Sequence, residues 1–172
     1  DFSGKTALIT GGARGIGRTI ALTLGRAGAD VAVNYRKPGG TSEKPARALA
    51  DELAALGRRC VLVPADISVK AEVDRCVSQT LEAFGRLDFL ILNAARAPFK
   101  EFGRLLEREL RSLVDVNLLG NVFMLQRALE PLSLTRGRTV FISSLGSRFY
   151  HPEYPLGWVK AAMENVVMSW AQ

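Results

Sequence analysis

Apolar residues along this chain alternate between two patterns. Short, nearly continuous runs occupy Lys5 to Thr10, Asp30 to Tyr35, Cys60 to Asp66, Phe89 to Ala95 and Thr139 to Ser144. Segments such as Val61-Leu62-Val63 and Phe89-Leu90-Ile91-Leu92 lack the in–out alternation of a half-solvated strand, so they predict strands buried on both faces of a parallel sheet. Between them the apolar positions spread to helical spacing. Ile16, Ile20 and Leu24 share one face, and Gly28 follows as a stop signal. Ala46 to Leu56 and Val69 to Phe84 predict two further helices, and Glu101 to Leu132 one or two more. Pro38-Gly39-Gly40-Thr41 reads as a loop after the second strand. Five βα units wound in the usual right-handed sense predict a Rossmann-type, doubly wound α/β fold: a parallel sheet between two helix layers, in one domain over residues 1–172.

Composition adds limits. The 172 residues are 48% hydrophobic, enough for one large core. The net charge of +6 is dispersed in pairs such as Arg36-Lys37 and Arg58-Arg59, with no basic stripe interleaved with aromatics, which argues against a nucleic-acid surface. It suits an anionic cofactor or an acidic carrier protein. No uncharged run is long enough to span a bilayer, and the first strand begins too close to Asp1 to leave room for a signal peptide; a cytoplasmic location is expected. Cys60 and Cys76 are expected to pack as small hydrophobes, and no metal site is expected.

Thr10-Gly11-Gly12-Ala13-Arg14-Gly15-Ile16-Gly17 sits between the first strand and the first helix. Gly11 and Gly15 permit a tight turn that approaches a pyrophosphate, and Gly17 lets the helix pack close to the strand, with its first N–H groups facing the anion. The end of the second strand separates the two nicotinamide dinucleotides. A carboxylate there would bind a ribose 2′-hydroxyl, whereas this chain has Asn34-Tyr35-Arg36-Lys37. Arg36 and Arg14 are suited to grip a 2′-phosphate through paired donors, which points to NADPH or NADP.

Those motifs continue in order along the chain: Asp66-Ile67, Asn93-Ala94-Ala95, Asn117, Ser143-Ser144, Tyr154 and Lys160. Together they closely resemble the short-chain dehydrogenase/reductase family, over Lys5 to about Gln172. The resemblance implies that Asp66 holds the adenine amino group with Ile67 nearby, and that Asn93 and Ala94 steady the central strand beside the cofactor. It implies that Ser144 orients the substrate oxygen and that Tyr154 is the general acid. Lys160 would bind the nicotinamide ribose and lower the tyrosine pKa, and Asn117 would support a proton relay. The chemistry suits these residue types, because hydride addition leaves negative charge on an oxygen that needs donors and a proton. Within the family the stretch Ile142 to Glu164 looks most like bacterial NADPH-dependent enoyl-acyl-carrier-protein reductases. A 3-ketoacyl or other carbonyl reductase, or a catalytically silent NADP-binding protein, are the alternatives.

The tyrosine-to-lysine spacing departs from the family, whose members mostly place three residues between the two. Here five intervene. In one continuous helix that step would turn Lys160 about 120° away from Tyr154. Tyr154 is therefore expected to precede the helix, with Pro155 at its first position, and Tyr150 is a second candidate acid. His151 reads as a solvated loop residue.

The family also continues past the helix that bears the lysine. The chain is expected to be part of a longer polypeptide, because Thr139 to Ser144 would otherwise be an uncovered apolar edge. Leu118, Leu119, Val122, Phe123 and Leu125, with Met163, Val166, Val167 and Trp170, lie on more helix faces than one core requires. They predict a homodimer or homotetramer acting on a small-molecule or acyl-thioester substrate.

Overall fold

A computed structural model describes residues 1–171, and Gln172 lies outside the described residues. Five strands form one parallel sheet: β1 (Thr6–Ile9), β2 (Asp30–Tyr35), β3 (Cys60–Pro64), β4 (Phe89–Leu92) and β5 (Arg138–Phe141). Their spatial order is β3-β2-β1-β4-β5, so β1 pairs with both β2 and β4, and the winding direction reverses beside it. Each crossover carries a helix: α1 (Gly15–Arg26), α2 (Glu43–Ala55), α3 (Lys70–Phe84), then α4 (Glu107–Val114) with α5 (Gly120–Thr135), and finally α6 (Gly157–Trp170) after β5.

Alternate strand residues serve the two faces. Leu8, Ala32, Val63, Leu90 and Leu92 pack with Val73, Val77, Met124, Ala128 and Met163 under α3, α5 and α6. Ile9, Val31, Val33 and Ile91 pack with Ala21, Leu22, Leu49 and Leu53 under α1 and α2. Cys76 is buried in the first cluster and Cys60 is half-buried beside the second, and burial pushes both thiols up to about 12. Neither is a nucleophile near neutral pH.

Four strands stop short of their predicted ends. β1, β3, β4 and β5 end at Ile9, Pro64, Leu92 and Phe141 rather than Thr10, Asp66, Ala95 and Ser144; after β4 the cause is Asn93, whose backbone and side-chain N–H groups turn to Thr10 and Gly11. The stretch Glu101 to Leu132 divides into a 3₁₀ turn at Phe102–Arg104, α4, a π-helical turn at Asp115–Leu119, and α5. The interruption lies where the helix passes over the chain after β3. A Cβ on Gly120 would stand 2.7 Å from the Ile67 carbonyl.

The expected surplus of apolar helix surface is smaller than the sequence implies. Leu125 and Met163 are core, and Leu118, Val122, Phe123, Val166 and Val167 pack against it, which leaves Leu119 and Trp170 exposed. β5 bonds to β4 alone, and Val140 is 47% exposed on that edge strand. No helix among the described residues is long and apolar enough to cross a membrane.

Candidate active site

The glycine turn folds as its sequence dictates. Gly11 and Gly15 have φ of +61° and +54°, where a side chain is strained. A Cβ on Gly17 would meet the Gly11 carbonyl at 2.5 Å and Asn93 Nδ2 at 2.6 Å, so α1 starts pressed against the end of β4. Asn93 holds this contact by donating its amide to the carbonyls of Thr10 (2.9 Å) and Gly11 (3.1 Å). The Thr10 hydroxyl accepts the N–H groups of Asn93 and Ala94 and donates to the Ile91 carbonyl.

A cleft of about 560 Å³ opens at this point, outside the C-terminal ends of β1 to β4 where the winding reverses. Ligands of open α/β sheets bind at such a place. Gly11, Arg14, Ile16, Tyr35, Arg36, Asp66, Ile67, Asn93 and Ala94 all line it. Gly15 and Gly17 shape it through the backbone.

Two of these side chains are engaged in ways the sequence did not show. Arg36 Nε donates to Asp66 Oδ2 at 2.8 Å, while Asp66 Oδ1 accepts the backbone and hydroxyl of Ser68. Burial opposes ionisation of Asp66, but the bonds from Ser68 and Arg36 outweigh it and hold the carboxyl below its ordinary range. The Asp66 carboxylate therefore anchors the loop after β3 and tethers Arg36 while lining the cleft. The terminal guanidinium nitrogens of Arg36, and Arg14 as a whole, have no acidic partner among the described residues.

At the far end of the sheet, Lys160 lies in the first turn of α6, only 2% exposed. Its ammonium donates to the Ile142 carbonyl at 2.6 Å and sits 4.5 Å from the centre of the Phe141 ring. Burial without a carboxylate partner pushes its pKa down to about 8. Ser144 heads a 3₁₀ turn at Leu145–Ser147, and its Oγ accepts the Gly146 N–H at 3.2 Å. Gly146 and Gly157 bring this turn against the start of α6, where a Cβ on Gly157 would overlap the Gly146 carbonyl.

Tyr154 precedes α6, as the spacing required, but the helix begins at Gly157 and Pro155 lies in the turn before it. The turn is anchored elsewhere. Lys100 N–H donates to the Glu153 carbonyl at 2.8 Å, and the Tyr154 ring stacks on Phe99 with centres 5.0 Å apart. Among the described residues no hydrogen bond joins Tyr154 to Lys160 or Ser144. Freed from the helix, the tyrosine follows the segment after β4 rather than the lysine. Tyr150 is 88% exposed, and His151 is an exposed loop residue whose Nδ1 accepts the Glu153 N–H.

Asn117 is fully buried in the π-helical turn, and its amide is spent on structure. It accepts the Arg96 N–H (3.0 Å) and donates to the carbonyls of Arg96 (2.7 Å) and Leu113 (2.9 Å). Its own carbonyl accepts Asn121 Nδ2 at 2.8 Å. The structure thus shows Asn117 clamping the chain after β4 beside the cleft.

Two residues matter more than the sequence reading allowed. Asn34, 2% exposed, accepts the Gly11 N–H and donates to the Val63 and Ala65 carbonyls, joining three strand ends under the cleft. A polar side chain inside an otherwise apolar buried strand was the available signal. The Thr10 hydroxyl had no comparable signal. Among the described residues no group of three or more His, Cys, Asp or Glu side chains is placed to hold a metal.

Comparison with known proteins settles the lineage. The sequence profile described as short chain dehydrogenase matches residues 5–172. The chain belongs to the short-chain dehydrogenase family. It is 36% identical, over 99% of its length, to a hydroxynaphthalene reductase-like protein Arp2 of Metarhizium guizhouense, and covers 62% of that relative. It is also 36% identical to the tetrahydroxynaphthalene reductase PfmaG of Pestalotiopsis fici, and covers 60% of it. The chain thus spans under two thirds of the length of these curated relatives. Among solved structures it resembles a short-chain dehydrogenase from Burkholderia cenocepacia in complex with NADP. Their TM-score is 0.91 at 33% identity, covering 99% of this chain and 68% of the other. An alcohol dehydrogenase of the archaeon Thermococcus sibiricus, complexed with 5-hydroxy-NADP, matches with TM-score 0.89 at 31% identity, covering 96% of this chain and 69% of the other.

Proposed function

We propose that the protein is an NADPH-dependent reductase of a ketone, using the short-chain dehydrogenase scheme. The observation that carries the cofactor is the cleft at the sheet's reversal point. It presents the glycine turn, the start of α1, the guanidinium of Arg14 and the terminal guanidinium nitrogens of Arg36, whose Nε alone is paired with Asp66. The residues present fit a dinucleotide whose adenosine ribose bears a phosphate. Tyr35 and Ile67 supply apolar walls, and the two arginines supply donors suited to a phosphate. When bound, NADPH supplies the hydride.

The chain's own groups then handle the oxygen and the proton. Ser144 offers a hydroxyl to the substrate oxygen, and Tyr154 donates the proton as negative charge develops there. Lys160, desolvated and near its own midpoint, is poised to interact with the ribose and to favour the phenolate after transfer. For Tyr154 to act, its turn must leave Phe99 and approach Lys160. That movement would also draw the half-buried ring off the cluster of Leu113, Leu156 and Val159 against which it packs.

Ketone rather than enoyl reduction is favoured by the relatives' names, since a polyhydroxynaphthalene accepts hydride through its keto tautomer. The enoyl-thioester expectation, on an acyl carrier protein or otherwise, becomes the competing outcome of one test. The full-length protein is mixed with NADPH and either a bicyclic aromatic ketone such as tetralone or crotonyl thioester. NADPH consumption with the ketone alone supports the reading. Consumption with the crotonyl thioester alone replaces it with enoyl reduction, and tight NADPH binding without turnover of either leaves a silent binding protein.

A further inference from the structure

Glu164 lies one helical turn beyond Lys160 on α6 and carries three interactions toward the Ser144 turn. Its Oε1 accepts the hydroxyls of Ser143 and of Ser147, the latter at 2.7 Å, and Oε2 faces Arg148 Nε at 3.7 Å. The serine donors flank Ser144 on both sides. Ser147 is tied to the turn by its N–H, which donates to the Ser144 carbonyl (3.0 Å), and its single hydroxyl proton lies between that carbonyl (2.8 Å) and Glu164 Oε1. The same helix face sends Lys160 to the Ile142 carbonyl. α6 therefore grips the segment from Ile142 to Ser147 at two points one turn apart, and the close approach of Gly146 to Gly157 adds a third.

We propose that Glu164 is a positioning residue: by accepting the hydroxyls of Ser143 and Ser147 it fixes the turn that presents the Ser144 hydroxyl, in register with Lys160. This rests on the reductase reading for its consequence and on geometry alone for its mechanism. A four-residue turn closed only by its own backbone has many orientations of comparable energy. Two hydroxyls held by one carboxylate on a rigid helix select one of them. The role requires an acceptor oxygen rather than a charge, so glutamine can fill it and alanine cannot. Small misplacements of a donor to the reacting oxygen lower turnover without weakening the hold on the cofactor by the glycine turn, Arg14 and Arg36, which lie at the ends of β1 and β2, away from β5.

The test uses the full-length protein with Glu164→Ala, Glu164→Gln and the double variant Ser143→Ala/Ser147→Ala. The expected result is a fall in kcat of about tenfold to a hundredfold in Glu164→Ala and in the serine double variant. NADPH affinity should stay within about twofold, turnover should largely recover in Glu164→Gln, and the triple variant should show no further loss. Hydrogen exchange gives a readout that needs no substrate: the amides of Gly146 and Ser147 should lose protection in Glu164→Ala while the core strands keep theirs. Unchanged kcat and unchanged protection in Glu164→Ala would overturn the proposal. So would additive losses of thermal stability with kcat per folded molecule intact. If the wild type reduces no ketone, the reductase reading fails, and the exchange experiment still decides whether Glu164 holds the turn.

Discussion

Replacing Lys160 with methionine removes a cation that the fold keeps almost entirely out of water, and the effect on stability has a calculable pH dependence. The folded amine titrates near 8 against its usual 10.5. Between those values the unfolded chain binds more protons than the folded one, so stability rises with pH across that window and is flat below it. A shift of 10.5 − 8 = 2.5 corresponds to about 3 kcal/mol, an upper figure because interior groups and penetrating water relax around a buried charge. The two thiols run the other way. Their usual 9.0 rises to about 12, so the folded state retains protons that the unfolded state sheds, and stability falls above pH 9. The informative quantity is therefore the difference between wild type and Lys160→Met, in which the thiol contribution cancels. Urea unfolding of both proteins from about pH 7 to about pH 10.5 should show that difference shifting toward the wild type by about 2 to 3 kcal/mol. A difference flat to within about 0.5 kcal/mol would refute a desolvated, unpaired lysine.

Other perturbations act at the cleft. Gly17→Ala places a Cβ against the Gly11 carbonyl and Asn93, so it should destabilise by about 1 to 3 kcal/mol in denaturant unfolding and weaken NADPH binding in a fluorescence titration. Asn34→Leu leaves the Val63 and Ala65 carbonyls and the Gly11 N–H without partners, at a cost of about 1 to 3 kcal/mol by the same unfolding assay; no loss would mean that the three-strand clamp contributes nothing. Arg36→Ala should raise the Kd for NADPH about tenfold while leaving NADH within about twofold, read by calorimetry, because only NADPH brings a 2′-phosphate to the terminal guanidinium nitrogens.

Much of this could be read from the chain because local rules and tertiary demands agree in it. Continuous apolar runs required strands with two covered faces, and the glycines of residues 11–17 fit one phosphate-facing turn whose Gly17 has no room for a side chain. The strand order follows once α1 and α2 cover one face and α3, α5 and α6 the other. What the sequence could not show is which polar groups pair. Asp66 has the family's position but spends its carboxylate on Ser68 and Arg36, and Asn117 spends its amide on Arg96, because each is the nearest satisfier of a buried or constrained backbone. Nor does spacing alone tell where Tyr154 goes once it leaves the helix. That is set by Phe99 and Lys100, which are distant in sequence and carry no motif.

The central claim is that this cleft holds NADPH for a reduction completed by Tyr154, and one comparison tests it most directly. Steady-state oxidation of NADPH with a bicyclic aromatic ketone is measured for the full-length wild type, Tyr154→Phe and Tyr150→Phe, with NADPH affinity determined in parallel. The account predicts that Tyr154→Phe loses about 10²- to 10⁴-fold in kcat with unchanged NADPH affinity and that Tyr150→Phe is close to wild type. Turnover surviving in Tyr154→Phe, or absent from the wild type despite tight NADPH binding, would contradict it.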